Sequence, residues 1–261
     1  MPGYPAEGAV LMHLAILRTG QTNKAISDSF PDYPEMFARL LNRSASYSQY
    51  PRFTFTSFAV FDGELPAHIN DFDGYILTGS AAGVYETHSW LEPLFAFIRA
   101  CDAAKKPICG ICFGHQAVAK ALGGEVVKWP DGWGVGVRDM QAADKPDWMA
   151  QMKEFSLIYF HQDQVTKLPA GAKTIATSPF CAIGGFAKDG HIFCLQGHPE
   201  FGADYSAALL ETIRARVGDA RTDSALASLT RRTDAEIVAS WIGDFFTHSQ
   251  KAEALSAVSA G

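Results

Sequence analysis

Residues 108–116 read ICGICFGHQ, and in them a short apolar run passes directly into a helix-like stretch through Gly110-x-Cys112-x-Gly114. This spacing is typical of a nucleophile elbow, a tight strand-to-helix turn that lifts the central side chain above a sheet. The start of the following helix would point at the Cys112 sulfur and favour its thiolate form. The Phe113 N–H would face the same point and stabilise a developing oxyanion. The stretch therefore predicts a cysteine nucleophile, with a buried structural cysteine as the alternative.

Apolar runs and helix-like stretches alternate through the first half of the chain. Runs rich in Val, Ile and Phe predict buried strands at residues 10–17, 53–61, 74–77 and 107–112. Helices are predicted between or after them at residues 33–41, 90–104 and 114–122. Such alternation is typical of right-handed βαβ crossovers. It predicts an α/β fold with a mostly parallel central sheet flanked by helices.

The second half of the chain is richer in strand-like runs. Short runs bounded by Gly, Pro and Asp predict strands at residues 125–129, 156–160, 173–177, 181–187 and 192–196. Between the last two, Lys188-Asp189-Gly190 has the composition of a hairpin turn. We therefore expect antiparallel strands that extend or flank the parallel sheet.

The sequence turns polar and helical from Gly218 onward. Thr233-Asp234 is suited to cap a helix in which Ile237, Trp241 and Phe245 share one face. So much apolar surface predicts that this helix docks on the core or on a partner, which makes a homodimer one option. We expect residues 1–217 to form the main domain and residues 218–261 to form a C-terminal helical extension packed on it.

Charge and composition exclude several classes of partner. The 261 residues carry a net charge of −6 without a clustered Lys/Arg stripe, which argues against nucleic acid or an anionic membrane surface. The apolar run near the N-terminus lacks a basic segment before it, and no run approaches the ~18 residues that a bilayer span needs. The 5 cysteines are few and odd in number, so a reducing compartment is expected, by default the cytoplasm.

Cys109 and Cys112 also form a Cys-x-x-Cys pair, which is found in zinc sites and in redox-active dithiols. A structural zinc site needs four ligands, and the sequence contains no second such pair and no nearby pair of histidines. Cys109 falls inside the predicted strand, where its side chain should point into the core. Dithiol chemistry remains the minor alternative to a single nucleophile.

A second motif lies in residues 193–201, which read FCLQGHPEF. His198 and Glu200 are two residues apart, so on an extended backbone their side chains fall on one face. Pro199 disfavours helix at His198 and supports that geometry. A carboxylate beside an imidazole fixes its tautomer and stabilises the imidazolium. The order, with the nucleophile first and His-x-Glu as a later unit, departs from the α/β-hydrolase pattern.

These two motifs together resemble the class I, triad-type glutamine amidotransferases. The matching segments are GICFGHQ at residues 110–116 and QGHPE at residues 196–200. Three more segments fit in the expected order: 76–80 is similar to the family's oxyanion strand, 159–163 to its substrate loop and 181–186 to the strand before the triad hairpin. The resemblance covers roughly residues 10–201. Within the family, the similarity is greatest to stand-alone members such as plant γ-glutamyl peptidases and to the amidotransferase domain of GMP synthase.

The resemblance implies a flavodoxin-like fold and a role for each matching residue. Cys112 would be the nucleophile, His198 the general acid–base and Glu200 the residue that orients His198. The oxyanion hole would be formed by the Phe113 N–H and an amide near Gly79-Ser80. The glutamyl group would be held by Gln116 and the backbone at Gln162-Asp163. The implied substrate is glutamine or another small γ-glutamyl molecule, and neither a metal nor an organic cofactor is needed.

Two features depart from the family pattern. The oxyanion strand often reads Gly-Gly-Pro in this family, whereas this chain has Gly79-Ser80-Ala81. The stretch after Phe201 is too short for a synthase domain, so ammonia is expected to be released or passed to a separate synthase subunit. We favour hydrolysis of a glutamine amide or γ-glutamyl bond through a thioester. The alternatives are a glutaminase subunit that supplies a separate synthase and a non-enzymatic binding protein.

Three further features of the sequence allow either a functional or a structural interpretation. His115 is expected to pack along the helix next to the nucleophile. His161 lies in the segment similar to the family's substrate loop, where both roles stay open. Residues 131–134 read DGWG, which fits a pocket border or a structural turn.

Overall fold

The computed structural model describes residues 11–44, 52–149 and 152–259. In chain order the strands are β1 (Leu11–Arg18), β2 (Arg52–Ala59), β3 (Gly74–Leu77), β4 (Ile108–Ile111), β5 (Glu125–Lys128), β6 (Gly134–Ala142), β7 (Glu154–His161), β8 (Asp163–Lys167), β9 (Ala172–Thr177), β10 (Gly185–Lys188) and β11 (Ile192–Leu195). The helices are α1 (Tyr33–Ser44), α2 (Leu91–Ala103), α3 (Phe113–Ala121), α4 (Ala203–Thr212), α5 (Arg214–Val217), α6 (Asp219–Ser228) and α7 (Ala235–Ser259), with a short 3₁₀ turn at Val60–Asp62. Val10, the predicted start of the first strand, lies outside the described residues.

The central sheet has the strand order β2-β1-β3-β4-β11-β10-β9-β6-β7 among the described strands. Its first five strands pair in parallel, and the remaining strands pair antiparallel. Strands β5 and β8 form a separate antiparallel ribbon. The predicted α/β fold, with a mostly parallel sheet and an antiparallel extension, is confirmed.

Strand β1 shows how the sheet separates two apolar layers. Met12, Leu14 and Ile16 pack in one cluster with residues of α1 and α7. Ala15 and Leu17 pack in another cluster with residues of α2 and α3. Successive side chains of a strand point to opposite faces, so the β1 strand contributes to both layers and reads as a nearly continuous apolar run.

The β10–β11 hairpin aligns the two sequence motifs. Lys188 pairs with Ile192, and the turn between them places Asp189 at φ 50° and Gly190 at φ 78°, as a tight hairpin requires. The predicted hairpin is thus confirmed. Strand β11 returns parallel to β4, with Leu195 opposite Ile111. The carboxyl ends of both strands therefore lie side by side, and the residues that follow each strand meet there.

In the second half of the chain, the structure differs from the prediction at one strand, at the substrate loop and at one strand that was not predicted. The strand predicted at residues 181–187 begins only at Gly185, because the Cys181 N–H and carbonyl bond to Ser178 in a turn. The predicted substrate loop at residues 159–163 is the end of β7 and the start of β8, with only Gln162 between them. Strand β6 was not predicted because its glycines hide the strand pattern, and Gly136 has a φ of +81°.

Helix α7 covers one face of the sheet with large side chains. Trp241, Phe245 and Phe246 are fully buried, and a Cβ at Gly74 would lie 2.5 Å from the Phe246 ring. Ile237 is 36% exposed, so its predicted place on the buried face is wrong. The buried stripe begins at Val238 instead, because the face that meets the sheet is rotated by one residue.

The start of α7 is tied to the sheet through Asp234. Its carboxylate accepts hydrogen bonds from the Ser156 N–H at 2.7 Å and the Ser156 hydroxyl at 3.2 Å. The Asp234 N–H donates to the Ser156 carbonyl oxygen at 2.8 Å. The residue predicted as a helix cap therefore anchors the helix to β7. In the part of the chain that the structure describes, α7 and the other helices are too short or too polar to cross a bilayer.

Candidate active site

The nucleophile elbow joins β4 to α3 at Cys112. This residue has φ 54° and ψ −104°, a conformation that is strained for a residue with a side chain. Its N–H donates to the Leu195 carbonyl oxygen at 2.8 Å, which helps to hold the strained turn. The flanking glycines allow close packing. A Cβ at Gly110 would lie 2.7 Å from the Gly114 carbonyl oxygen, and a Cβ at Gly114 would lie 2.4 Å from the Leu77 carbonyl oxygen. The strain is therefore at the cysteine itself.

His198 and Glu200 follow β11 and form a buried pair. The His198 N–H donates to the Ile158 carbonyl oxygen at 2.8 Å, which fixes the backbone of the motif against β7. His198 Nδ1 lies 2.8 Å from Glu200 Oε1. The imidazole stacks on the Phe201 ring, with centroids 3.9 Å apart and planes 5° apart. The backbone hydrogen bond, the Glu200 carboxylate and the stacked Phe201 ring therefore hold the imidazole in one orientation.

The structure brings His198 next to Cys112. Burial lowers the pKa of His198, but attraction to Glu200 and Cys112 and hydrogen bonds with both outweigh it and raise the pKa to about 10. The imidazole is therefore protonated at neutral pH. The arrangement is suited to nucleophilic attack by sulfur and to proton transfer by His198.

The loop after β3 packs against this pair. A Cβ at Gly79 would lie 3.0 Å from His198 Cε1 and 3.8 Å from Cys112 Cβ. The Gly114 N–H donates to the Thr78 carbonyl oxygen at 3.1 Å, which fastens the loop to the elbow. Within the described residues, the N–H groups of Phe113, Gly79 and Ser80 have no hydrogen-bond acceptor. They are available to the oxyanion hole that was predicted at these positions.

The residues predicted to hold the glutamyl group lie along the same cavity. Gln116, Gln162 and Asp163 all line it, together with Cys112. The Gln116 amide donates to the Asp163 carbonyl oxygen and to Gln196 Oε1, both at 3.0 Å. With both amide hydrogens engaged, Gln116 has its carbonyl oxygen left for a ligand. The role of Gln116 and of the backbone at Gln162-Asp163 in binding stays a prediction.

Two other histidines are buried beside the site and are neutral. Burial lowers the pKa of His115 to about 3 and that of His161 to about 4. His115 contacts Gln196 Oε1 at 3.3 Å and packs on the Phe186 ring, outside the cavity lining. His161 lines the cavity, and its Nδ1 donates to the Asp163 carbonyl oxygen at 3.0 Å. His115 therefore packs, as expected, while His161 supports the wall.

The cavity at the elbow has a volume of about 260 Å³. Trp133 of the DGWG segment lines it, which supports the pocket-border interpretation of that segment. The sequence motifs did not indicate Tyr85, Leu209 and Arg216, which also line the cavity. They follow the segments 76–80 and 193–201 within 15 residues but belong to no motif. Phe201, directly after Glu200, is a lining residue that its place in the motif could have indicated.

Cys109 differs from Cys112 in its surroundings. It is fully buried on β4 between Ile76 and Phe193, and burial raises the pKa of its thiol. All 5 cysteines lie in the described residues and are free. Among these residues, no group of three or more His, Cys, Asp or Glu side chains is arranged to hold a metal ion.

Comparison with known proteins identifies the family. The model of the class I glutamine amidotransferases matches residues 39–211, more than half of the chain, and the chain belongs to this family. The predicted resemblance is thus confirmed. Gamma-glutamyl peptidase 2 of Arabidopsis thaliana is 31% identical over 162 residues, which are 60% of this chain and 65% of that protein. The GMP synthase of Dehalococcoides mccartyi is 35% identical over 136 residues, which are 51% of this chain and 24% of that protein.

A solved structure agrees with the fold. A glutamine amidotransferase of Thermotoga maritima superimposes with a TM-score of 0.72 at 18% identity, covering 90% of this chain and 98% of that chain. At this identity the similarity supports the fold alone.

Proposed function

We propose that this chain hydrolyses the γ-amide of glutamine or the γ-glutamyl bond of another small molecule through a cysteine thioester. The observation that carries the proposal is the strained Cys112 elbow beside a His198 that is held 2.8 Å from Glu200. Family membership and the similarity to γ-glutamyl peptidases support the same reaction. The reaction uses the side chains and backbone of the chain alone and needs no organic cofactor.

In the first half of the reaction, the Cys112 thiolate attacks the γ-carbonyl carbon. The carbonyl oxygen becomes an oxyanion, which the N–H groups of Phe113 and of Gly79 or Ser80 stabilise. His198 gives its proton to the leaving nitrogen as the C–N bond breaks. Ammonia or an amine departs, and the γ-glutamyl group stays on sulfur as a thioester.

In the second half, His198 is neutral and accepts a proton from water as the water oxygen attacks the thioester carbon. The C–S bond breaks and restores the Cys112 thiolate and the His198 imidazolium. Glutamate is released. Glu200 orients the imidazole throughout, and Gln116, Gln162 and Asp163 hold the glutamyl group.

A second candidate function is that of a glutaminase subunit which passes ammonia to a separate synthase. The similarity to GMP synthase favours it, because the matched part is only 24% of that protein. We propose the cytoplasm as the compartment, since a reactive thiolate and 5 free thiols suit reducing conditions. The proposed partner is a small glutamyl molecule, with neither nucleic acid nor a membrane involved.

A substrate screen tests the proposal. Purified protein would be incubated with glutamine, γ-glutamyl amines and glutathione-type peptides, and glutamate, ammonia and amine would be quantified. We expect turnover of at least one of these substrates without any partner protein, and none by Cys112→Ser. If the wild-type protein releases no more glutamate than Cys112→Ser either alone or with an added synthase, the chain is a binding protein of this fold. Turnover of glutamine only after a synthase is added would favour the second candidate.

The triad roles predict an order of activity among variants. Glu200→Gln should be about a hundred times more active than His198→Asn, because Glu200 acts through His198 and touches no substrate atom. Glu200→Gln should also lower the pKa of His198, measured by NMR titration of the imidazole. Equal losses of activity with an unchanged His198 pKa would contradict the role of Glu200.

The raised pKa of His198 also makes the free energy of unfolding depend on pH. The pKa of His198 rises from 6.5 to about 10 on folding, so its proton stabilises the folded state. This stabilisation is fully present below pH ~6.5 and is lost as the pH rises through ~10. In Glu200→Gln the loss should be smaller, which urea denaturation at several pH values in this window measures.

A further inference from the structure

The cavity has two sides of different chemistry. One side is polar, formed by the loop after β3 together with Gln116, Gln162 and Asp163. The other side is apolar, formed by Trp133, Phe160, Phe201, Leu209 and Ile213. Glutamine has a polar head, and its amide nitrogen leaves as ammonia with no group attached, so glutamine needs only the polar side. Binding of glutamine therefore does not account for the apolar side of the cavity.

The apolar side begins at the catalytic pair. Phe201 stacks on His198 with centroids 3.9 Å apart, and Cys112 Sγ lies 4.0 Å from the Phe160 carbonyl oxygen. Phe201, Phe160 and Leu209 belong to one apolar cluster. A leaving nitrogen that takes its proton from His198 must lie beside that residue. The group attached to this nitrogen therefore lies against the apolar side.

The apolar side ends at a guanidinium. The Trp133 ring meets the Phe160 ring edge-on at 6.5 Å, and the Arg216 guanidinium lies 5.3 Å from the centre of the Trp133 ring. Arg214 forms ion pairs with Glu211, Asp219 and Asp223. Arg216, by contrast, is within ion-pair distance of no carboxylate in the described residues.

Arg216 is therefore suited to bind an anionic group of a ligand. A guanidinium that lies over an aromatic ring still presents N–H groups, in the guanidinium plane, to a carboxylate. Lys128 also lines the cavity, and its charge adds to the hydrogen bonds from the Gly83 N–H and His88 that lower the pKa of Glu86. Lys128 is therefore the cation that the variants below must separate from Arg216.

We propose that Trp133, Phe160 and Arg216 form a subsite for the leaving group of γ-glutamyl amino acids or peptides. The aromatic rings contact an apolar side chain of the leaving residue, and Arg216 binds its free carboxylate. The inference rests on the proposed hydrolysis and specifies its substrate class. It makes Arg216 a specificity residue, because the guanidinium contacts the substrate at a distance from the reacting atoms.

Two substrates that differ only in the carboxylate test this assignment. The kcat/KM of the wild-type protein would be measured for γ-glutamyl-phenylalanine, its C-terminal amide and glutamine. We expect the acid to be preferred over the amide about tenfold, as for one charge-assisted contact. Arg216→Gln should lower the kcat/KM for the acid to the value for the amide, and Arg216→Lys should keep part of the preference for the acid.

Two further variants separate Arg216 from other cations. Arg99→Gln removes a surface arginine of α2 that pairs with Glu92, and it should keep the full preference for the acid. If Lys128→Gln removes the preference while Arg216→Gln keeps it, the assignment to Arg216 is wrong. Melting temperatures of all variants would show that each one is folded.

The outcomes distinguish this inference from the proposed function. Equal turnover of acid and amide, or turnover of glutamine alone, would overturn the leaving-group subsite while the thioester hydrolysis stands. No turnover of any of the three substrates by the wild-type protein would overturn both. A preference for the acid that depends on Arg216 would support the subsite and the substrate class together.

Discussion

Cys112→Ser should hydrolyse glutamine and γ-glutamyl substrates at least about a thousandfold more slowly than the wild-type protein. A serine hydroxyl ionises far less readily than a thiol and is therefore a much weaker nucleophile at neutral pH. The stability of the variant should stay close to that of the wild type, because the side chains are similar in size. Stopped assays of glutamate release and a urea titration measure the two effects.

Cys109→Ser is the matched control. Cys109 is fully buried on β4, and a hydroxyl there would be placed among apolar side chains. We expect a loss of about 1–3 kcal/mol in the free energy of unfolding, with activity retained in the folded fraction. If both serine variants instead lose activity equally and keep the wild-type melting temperature, the two cysteines act together as a dithiol.

Trp241→Ala should lower the free energy of unfolding by about 3–5 kcal/mol, a large part of the stability of a domain this size. Trp241 is fully buried and meets the Phe155 ring edge-on at 5.1 Å. Ile237→Ala on the same helix is the control, because Ile237 is 36% exposed and should cost less than about 0.5 kcal/mol. Urea denaturation at equal protein concentration measures both, and similar losses in the two variants would contradict the orientation of α7.

Truncation after Val217 extends this prediction to the whole extension. It would remove Phe245, which packs on the rings of Phe193 and Trp148, and Phe246, which covers Gly74. We propose that residues 218–261 are an extension packed on the main domain, so the truncated chain should be insoluble or unstable. A truncated protein that keeps the wild-type melting temperature but is a monomer in solution, where the full-length protein is a dimer, would instead indicate a homodimer built on this helix.

The local motifs of the chain could be recognised from the sequence alone. Gly110 and Gly114 flank Cys112 because no side chain fits at those positions, and this packing constraint is visible as a pattern in the sequence. Pro199 and the spacing of His198 and Glu200 likewise follow from backbone geometry over a few residues. The alternation of apolar runs with helices indicated the parallel sheet. These features depend on short-range interactions, and short-range interactions leave periodic or motif signals.

Long-range packing decided the rest. Strand β6 is a strand because β7 and β9 pair with it, although its own glycines disfavour that state. The face of α7 that is buried depends on where the sheet meets it, which is why Ile237 was misplaced. The Asp234 carboxylate bonds to Ser156, 78 residues earlier, while the Asp234 carbonyl oxygen accepts a hydrogen bond from the Val238 N–H in the first turn of α7. Arg216 reaches the cavity only because α4 and α5 fold back over β6 and β7, and such contacts between distant segments carry no pattern in a single sequence.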